Sequence, residues 1–334
     1  MTKLTRRGLM LGAAAVGSGV LAPVRHPAPA HAAAPMSGKQ APGYYRYKVG
    51  TFEVTVIADG ARSAPVPDTY VRNASPEEVG TLFTALRMDK SKPMAPFNTA
   101  VVNTGDKLVV IDTGLGPALY EQSKGAVGQA HTNLAAAGID RGSVDAAIIS
   151  HFHGDHINGL LTADGAPAYP NAEVLVPAAE WKYWTDDGNM SKAPAGSLLE
   201  SNFRNVRRVF GALGNRVTPY ETGTEIVPGI TALATPGHTP GHSSHRVSSG
   251  SAQAIIQADV TAHVAELFTR RPDWHAMFDM DGPQAEETRR RLYDMASADN
   301  ILVQGYHFPF PAVGYIEKDG KGYRWVPAAW NPSL

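Results

Sequence analysis

The feature that most constrains this chain is a cluster of ionisable side chains directly behind a short apolar run. The segment DAAIIS predicts a buried strand, and the stretch HFHGDH after it holds three histidines and one aspartate in six residues. Neutral imidazoles packed so closely gain little without a cation, and protonated imidazoles repel one another. The cluster therefore predicts a metal site at a strand end, the alternative being a loop of solvated or core histidines.

The spacing within the cluster favours metal binding from two sides. His151 and His153 are two residues apart, so their side chains point the same way in an extended segment. Asp155 and His156 follow where the chain turns towards a helix, and they face the same volume from another direction. Imidazole nitrogens and a carboxylate within one turn suit a divalent first-row metal.

Composition narrows the chemistry further. The 334 residues include no cysteine, which excludes disulfides, thiolate nucleophiles and thiolate ligands, so a metal must be held by imidazole and carboxylate. The formal net charge is −1 and no long basic run occurs, so nucleic acid is not expected as a partner. No G-x-S-x-G serine elbow occurs either, which argues against a serine nucleophile.

The N-terminus predicts export. Arg6 and Arg7 precede a weakly apolar stretch rich in glycine and alanine, and AHA at residues 30–32 suits a signal peptidase. We interpret residues 1–32 as a twin-arginine signal peptide, residues 33–42 as a linker and residues 43–334 as one domain. A membrane anchor would need about twenty strongly apolar residues, and this run is shorter and interrupted by glycines. The mature protein is thus expected to be periplasmic or secreted, without a stable membrane anchor.

Segments typical of strands and of helices alternate through both halves of the chain. Hairpins are predicted in YYRYKVGTFEVTVIADG, AVVNTGDKLVVIDTG, HRVSSGSAQAIIQAD and GYIEKDGKGYRWVP. Helices are predicted in SPEEVGTLFTAL, which opens with a capping box of Ser75 and Glu78, and in SLLESNFRNVRRVFGALG and PQAEETRRRLYDMASAD. This interleaving indicates an α/β fold in which two sheets pack face to face with helices outside.

Three further candidate ligands lie at predicted strand ends. His238 follows GITALAT and a Pro-Gly turn, Asp259 follows a hairpin, and His307 ends the segment NILVQGYH. His242, four residues after His238, is the weaker candidate, for which a supporting or surface role is expected. Each of these residues would be ordinary by itself, and their shared position at strand ends singles them out.

Together these residues resemble the pattern of the metallo-β-lactamase superfamily over nearly all of the mature chain. The resemblance implies a four-layered αββα sandwich, with two metal ions at one edge of the sheets. The ligands that it assigns to the first metal are His151, His153 and His238. Those that it assigns to the second are Asp155, His156 and His307. Asp259 would bridge both metals, and Asp112 in VVIDTG would orient a ligand histidine.

The chain departs from the family pattern at two places. The family usually has two glycines after the last histidine of the cluster, where this chain has Asn158 and Gly159, and a glycine before the bridging aspartate, where it has Ala258. Asparagine tolerates the left-handed backbone and alanine is small, so metal binding is expected to survive. The segments APGYYR, GHTPGH and GKGYRWVP most resemble the exported branch that includes methyl parathion hydrolase and related lactonases.

A pair of metal ions predicts hydrolysis. Two cations that share one water lower its pKa and hold a hydroxide ready to attack a carbonyl or phosphoryl centre. Zinc is the expected metal, with manganese, cobalt and iron as alternatives. Asp155 and Asp259 are expected to act catalytically at this centre, and His263 is a candidate to reach the substrate as a hydrogen-bond donor or acid.

Aromatic residues near the ligand-bearing segments predict an apolar pocket for a small-molecule substrate. The candidates are Trp181, Trp184, Phe203, Phe268, Trp274, Phe278, Phe308 and Phe310. We therefore predict a dinuclear metal hydrolase that opens lactones or cleaves esters, with organophosphate triesters as a side activity. The alternatives are a β-lactamase-type amide hydrolase and, from another class, a non-hydrolytic metal-binding or redox protein on the same fold. The sequence does not decide between a monomer and a homodimer.

Overall fold

Short runs rich in β-branched residues form two seven-stranded sheets in the computed structural model, which describes residues 36–38 and 40–334. The first sheet contains, from edge to edge, β1 Tyr44–Val49, β2 Phe52–Ser63, β3 Met94–Asn103, β4 Leu108–Ile111, β5 Ala146–Ile148, β6 Glu173–Pro177 and β7 Val217–Tyr220. Strands β1 to β4 pair antiparallel, and β4 to β7 pair parallel. Parallel neighbours need long crossover connections, and these connections carry helices.

The second sheet is mostly antiparallel. It contains, from edge to edge, β14 Gly322–Pro327, β13 Val313–Asp319, β12 Leu302–Gln304, β11 Ala252–Ile256, β10 Ser243–Ser249, β9 Ile230–Ala234 and β8 Glu225–Val227. Only the pair β11 and β12 runs parallel in this sheet. Their long connection therefore crosses one face of the sheet.

Nine α-helices occur in the described residues. They are α1 Pro76–Ala85, α2 Pro117–Gln122, α3 Ala130–Ala136, α4 Gly154–Ile157, α5 Ala178–Thr185, α6 Asp187–Ser191, α7 Leu198–Leu213, α8 Ala265–Arg270 and α9 Gly282–Ala298. The predicted capping box of α1 is confirmed: the Ser75 hydroxyl accepts a hydrogen bond from the Glu78 N–H (3.2 Å), and the Glu78 carboxylate accepts one from the Ser75 N–H (2.9 Å). Such a cap stabilises a helix by about 1 kcal/mol.

Apolar side chains hold the layers together. Val56, Ile111 and Val247 belong to a fully buried cluster between the two sheets. Phe203 of α7 packs on the outer face of the first sheet, and Tyr293 of α9 packs on the outer face of the second. Each buried side chain of this size contributes roughly 1.5–3 kcal/mol. The predicted four-layered αββα sandwich is therefore confirmed.

The described part of the chain begins within the predicted linker. Residues Pro42–Leu334 form one compact unit. The predicted signal peptide, residues 1–32, lies outside the described residues, so export stays a prediction. Among the helices that the structure describes, none is long and apolar enough to span a membrane.

Candidate metal centre

Ionisable residues follow the ends of several strands at one edge of the sandwich. Strands β4 and β5 run parallel, as do β11 and β12, so the carboxyl ends of each pair emerge together. The two sheets meet at this edge, where the Ser243 N–H donates to the Ser150 carbonyl (3.0 Å). The residues brought together by these strand ends and by the loop after β9 are Asp112, His151, His238, Asp259 and His307.

A first cluster consists of three imidazoles. The His151 Nε2 lies 3.1 Å from the His153 Nδ1, which lies 2.9 Å from the His238 Nε2. Burial, together with the neighbouring His238, lowers the pKa of His153 to about 3, and burial also lowers the pKa of His151 well below its ordinary value. Neutral imidazoles offer lone pairs rather than charge, so three converging nitrogens suit a cation.

A second cluster contains two carboxylates and two imidazoles. The ligand atoms of Asp155, His156, Asp259 and His307 all lie within 4.8 Å of one another. The Asp259 carboxylate faces both clusters, because its Oδ2 is 3.2 Å from the His307 Nε2 and 3.3 Å from the His238 Nε2. Its Oδ1 is 3.2 Å from the His156 Nε2. The structure thus brings together all seven residues that the sequence singled out as ligands.

The charge balance of the second cluster fits a bound cation. The buried atoms Asp155 Oδ2, His156 Nε2 and Asp259 Oδ1 have no hydrogen-bond partner in the described residues. Burial would lower the pKa of His156, but the surrounding carboxylates, led by that of Asp259, raise it well above its ordinary value. Buried carboxylates are costly unless a positive charge balances them. The two clusters together therefore fit a dinuclear divalent metal site.

Asp112 contacts the far side of a histidine in the second cluster, as the family resemblance implies. Its Oδ2 accepts a hydrogen bond from the His156 Nδ1–H (2.8 Å), which leaves the His156 Nε2 facing the centre. Its Oδ1 accepts from the Ser150 N–H (2.8 Å). Asp112 itself adopts φ +58°, a left-handed conformation that costs a non-glycine residue about 1–2 kcal/mol. The surrounding hydrogen bonds hold it there.

Two further groups orient ligand histidines, and sequence analysis missed both. The His238 Nδ1–H donates to Asp279 Oδ1 (2.9 Å), and the His307 Nδ1–H donates to the Pro96 carbonyl (2.8 Å). A backbone carbonyl carries no residue-type signal. Asp279 lies 41 residues after His238, in a loop before α9 with no recognisable motif. Only the fold brings these partners to the centre.

His242 supports the centre from behind. It is buried, and its Nε2 accepts a hydrogen bond from the Asp259 backbone N–H (3.0 Å). Its Nδ1–H donates to the Thr235 carbonyl (2.9 Å). Of the two expectations for this residue, the supporting role fits its position, and the surface role does not.

An apolar cavity of about 830 Å³ lies beside both clusters. His153, His238 and Asp259 form part of its wall. Most of the rest comes from five separate segments, residues 62–72, 93–97, 194–202, 262–264 and 277–280, and the remainder is Leu115, Gly154, Asp155 and Trp184. The wall is therefore assembled from stretches that are distant in sequence.

The aromatic residues of this wall were only partly predicted. Of the eight candidates, Trp184 and Phe278 line the cavity. Phe203, Phe268, Trp274 and Phe308 are instead buried in the core, Trp181 packs against it, and Phe310 is exposed. Tyr70 and Phe97 complete the aromatic wall, although no sequence signal distinguished them from core residues.

His263 also lines the cavity. Its Nε2 is 3.9 Å from Asp155 Oδ2, and its ring packs edge-on against those of Phe278 and His307, with centroid distances of 4.5 and 4.6 Å. Burial lowers the pKa of His263 to about 4. At neutral pH this imidazole is therefore uncharged, which favours hydrogen bonding over the alternative role of acid.

The two departures from the family pattern have different structural consequences. Asn158 adopts a right-handed φ of −67°, so its tolerance of the left-handed backbone is not needed; its Oδ1 instead accepts hydrogen bonds from Asn205 and Arg208 of α7. At Gly159 a Cβ would lie 1.8 Å from the Thr113 carbonyl oxygen, so glycine is required there. Ala258 has φ +50°, a left-handed conformation that strains alanine although its side chain is small.

Comparison with known proteins agrees with this geometry. A family model described as the metallo-beta-lactamase superfamily matches residues 96–303. The chain therefore belongs to this superfamily, and its ligand clusters support a metal-dependent hydrolase. No curated protein matches the chain.

The solved structures that share the fold include the following three. The hydrolase AbOPH of the beta lactamase superfamily is 25% identical, with a TM-score of 0.80, over 88% of this chain and 100% of that chain. AidC, a dizinc quorum-quenching lactonase solved with a product, is 21% identical, with a TM-score of 0.79, over 86% and 98%. A probable metal-dependent hydrolase from Staphylococcus aureus is 18% identical, with a TM-score of 0.67, over 86% and 100%. These likenesses do not single out the methyl parathion hydrolase branch.

Proposed function

We propose that this protein is a dinuclear metal hydrolase that opens lactones or cleaves esters carrying an apolar group. The observation that carries the proposal is the apolar cavity of about 830 Å³ directly beside both ligand clusters. A cavity of this size leaves room for an acyl chain or aryl group next to the reacting ring or ester. The small-molecule substrate is thus recognised mainly by its apolar part.

The residues of the site have different roles in hydrolysis. When bound, the metal pair supplies an activated water and polarises the carbonyl oxygen of the substrate. The Asp259 carboxylate fixes the spacing of the two clusters, and Asp112 and Asp279 fix the orientation of the rings of His156 and His238. Tyr70 and Phe97 exclude water from the apolar side of the cavity.

Zinc is the metal that we propose for this centre. Five imidazoles and two carboxylates, without thiolates, match the nitrogen and oxygen donors that zinc accepts, although manganese, cobalt and iron accept them too. The dizinc description of AidC, whose fold this chain shares, supports the same choice.

We propose that His263 hydrogen-bonds to the substrate as a neutral imidazole. Replacing His263 by phenylalanine keeps the ring packing against Phe278 and removes both nitrogens. We expect kcat/KM to fall about 10- to 100-fold, because one hydrogen bond to a buried group is worth about 1–3 kcal/mol. The measurement is steady-state kinetics with metal content checked in parallel, and His275→Phe, at a half-buried ion pair with Glu286, is the control. An unchanged kcat/KM would show that His263 lines the cavity wall without hydrogen-bonding to the substrate.

A substrate panel tests the function itself. Lactones and aryl esters with acyl chains of increasing length are compared with phosphotriesters and β-lactams. We expect the highest kcat/KM on a lactone or ester, with a gain of up to about fourfold for each methylene that enters the cavity, since a buried CH₂ is worth about 0.8 kcal/mol. If phosphotriesters or β-lactams are turned over fastest, that class becomes the assigned substrate in place of lactones and esters. Binding of two metals with no hydrolysis of any class would favour the non-hydrolytic alternative.

A further inference from the structure

Glu180 in α5 is a fully buried carboxylate close to the first cluster. Its Oε2 accepts hydrogen bonds from the Trp184 Nε1–H (2.6 Å) and the Phe152 N–H (3.2 Å), and its Oε1 accepts one from the Gly241 N–H (2.7 Å). No ion pair to Glu180 is found among the described residues. Burial raises the pKa of this carboxyl, because a buried negative charge is costly. The three hydrogen bonds offset part of that cost.

Two of the three donors lie on the two loops that supply the first cluster. Phe152 stands between His151 and His153, and Gly241 lies three residues after His238. One carboxylate therefore ties both ligand-bearing loops to α5. The contact is tight, because a Cβ on Gly241 would lie 2.3 Å from the backbone nitrogen of Glu180.

The third donor belongs to the cavity wall. Trp184 lines the cavity, and its ring lies edge-on to that of His153 at a centroid distance of 6.3 Å. The hydrogen bond from its indole N–H to Glu180 fixes the rotation of this ring. The same carboxylate thus links the position of a ligand with the shape of the substrate cavity.

No described hydrogen bond joins Glu180 to a residue of the second cluster. The histidines of this cluster are oriented by Asp112 and by the Pro96 carbonyl, and neither group contacts α5 through a described hydrogen bond. A change at Glu180 should therefore act on one cluster and spare the other. The backbone hydrogen bond from Ser243 to Ser150 also remains, so the loops stay adjacent when Glu180 is altered.

We propose that Glu180 is a positioning residue that sets the approach of His151 and His153 to His238, and with it the metal affinity of the first cluster alone. The inference rests on the dinuclear site of the proposed function. A positioning role predicts that a change at Glu180 weakens metal binding at the first cluster only. A carboxylate that only stabilised the fold would affect both clusters equally or neither.

The test is metal binding by the full chain without substrate. In Glu180→Gln one acceptor oxygen becomes an N–H₂ group, which cannot accept a hydrogen bond from Gly241 or from Phe152 and Trp184. We expect equilibrium dialysis against zinc to find one site weakened about 10- to 100-fold and the other unchanged, as for other groups that support metal ligands. With cobalt in place of zinc, the shifted ring N–H signals of His156 and His307 should persist in the proton NMR spectrum, while that of His238 is lost or displaced.

Glu286→Gln is the matched control, because it makes the same chemical change in a half-buried ion pair of α9. Two unchanged sites in Glu180→Gln, or an equal loss at both, would overturn the proposal. Should Glu180→Gln not fold, Glu180→Asp is the second variant, because it keeps the charge but is one methylene too short to reach both loops. Unchanged metal affinity of the first cluster in Glu180→Asp would also overturn the proposal. Fewer than two zinc ions in the unaltered protein would instead contradict the dinuclear proposal itself.

Discussion

Asp259→Asn is expected to lower kcat/KM by about 10³-fold or more while leaving the protein folded. The Asp259 carboxylate is the group whose oxygens face both clusters, at 3.2 Å from the His156 and His307 Nε2 atoms and 3.3 Å from that of His238. Asparagine offers one oxygen and no charge, so it can serve one cluster at most. Loss of several kcal/mol of electrostatic stabilisation at such a centre corresponds to this change in rate.

The measurement is hydrolysis of the best substrate of the panel, with metal content and circular dichroism recorded on the same samples. Asp273→Asn is the control, because its carboxylate pairs with Arg271 at a half-exposed position outside the clusters. Full activity in Asp259→Asn would reject the bridging role of Asp259.

Removal of metal by a chelator is expected to abolish turnover and to lower the free energy of unfolding. Ligand binding to the folded state alone stabilises it by about 4 kcal/mol when the free ligand is a thousandfold above its Kd. The second cluster also gathers carboxylates around His156, and without a cation their charge is balanced only by a proton. Each kcal/mol lost should lower Tm by roughly 1.5–2 °C in a chain of this size.

Calorimetry before and after dialysis against the chelator measures this effect, and activity is followed as zinc, manganese or cobalt is returned. We expect about two ions per chain to restore both Tm and turnover. Unchanged stability and activity in protein shown to be free of metal would rule out a metal-dependent mechanism.

The sequence by itself indicated the chemistry and the layers of this protein. Alternation of apolar residues specified the hairpins. The apolar run DAAIIS placed His151 and His153 at a strand end. The absence of cysteine restricted the donors to nitrogen and oxygen. These features are local, since periodicity and spacing act within one strand or turn. Export by the twin-arginine route and the lack of a nucleic-acid partner stay predictions of the sequence.

The tertiary structure decided which distant groups meet. Asp279 reaches His238 across 41 residues, and Glu180 reaches Gly241 across 61. The cavity wall is likewise drawn from segments that are distant in sequence, and four of the eight candidate aromatic residues lie in the core instead. Hydrogen bonds and cavities of this kind depend on how sheets and helices pack, and no residue type or spacing encodes them locally. The sequence thus determined what the centre is made of, and packing determined how its ligands are held and what lies beside them.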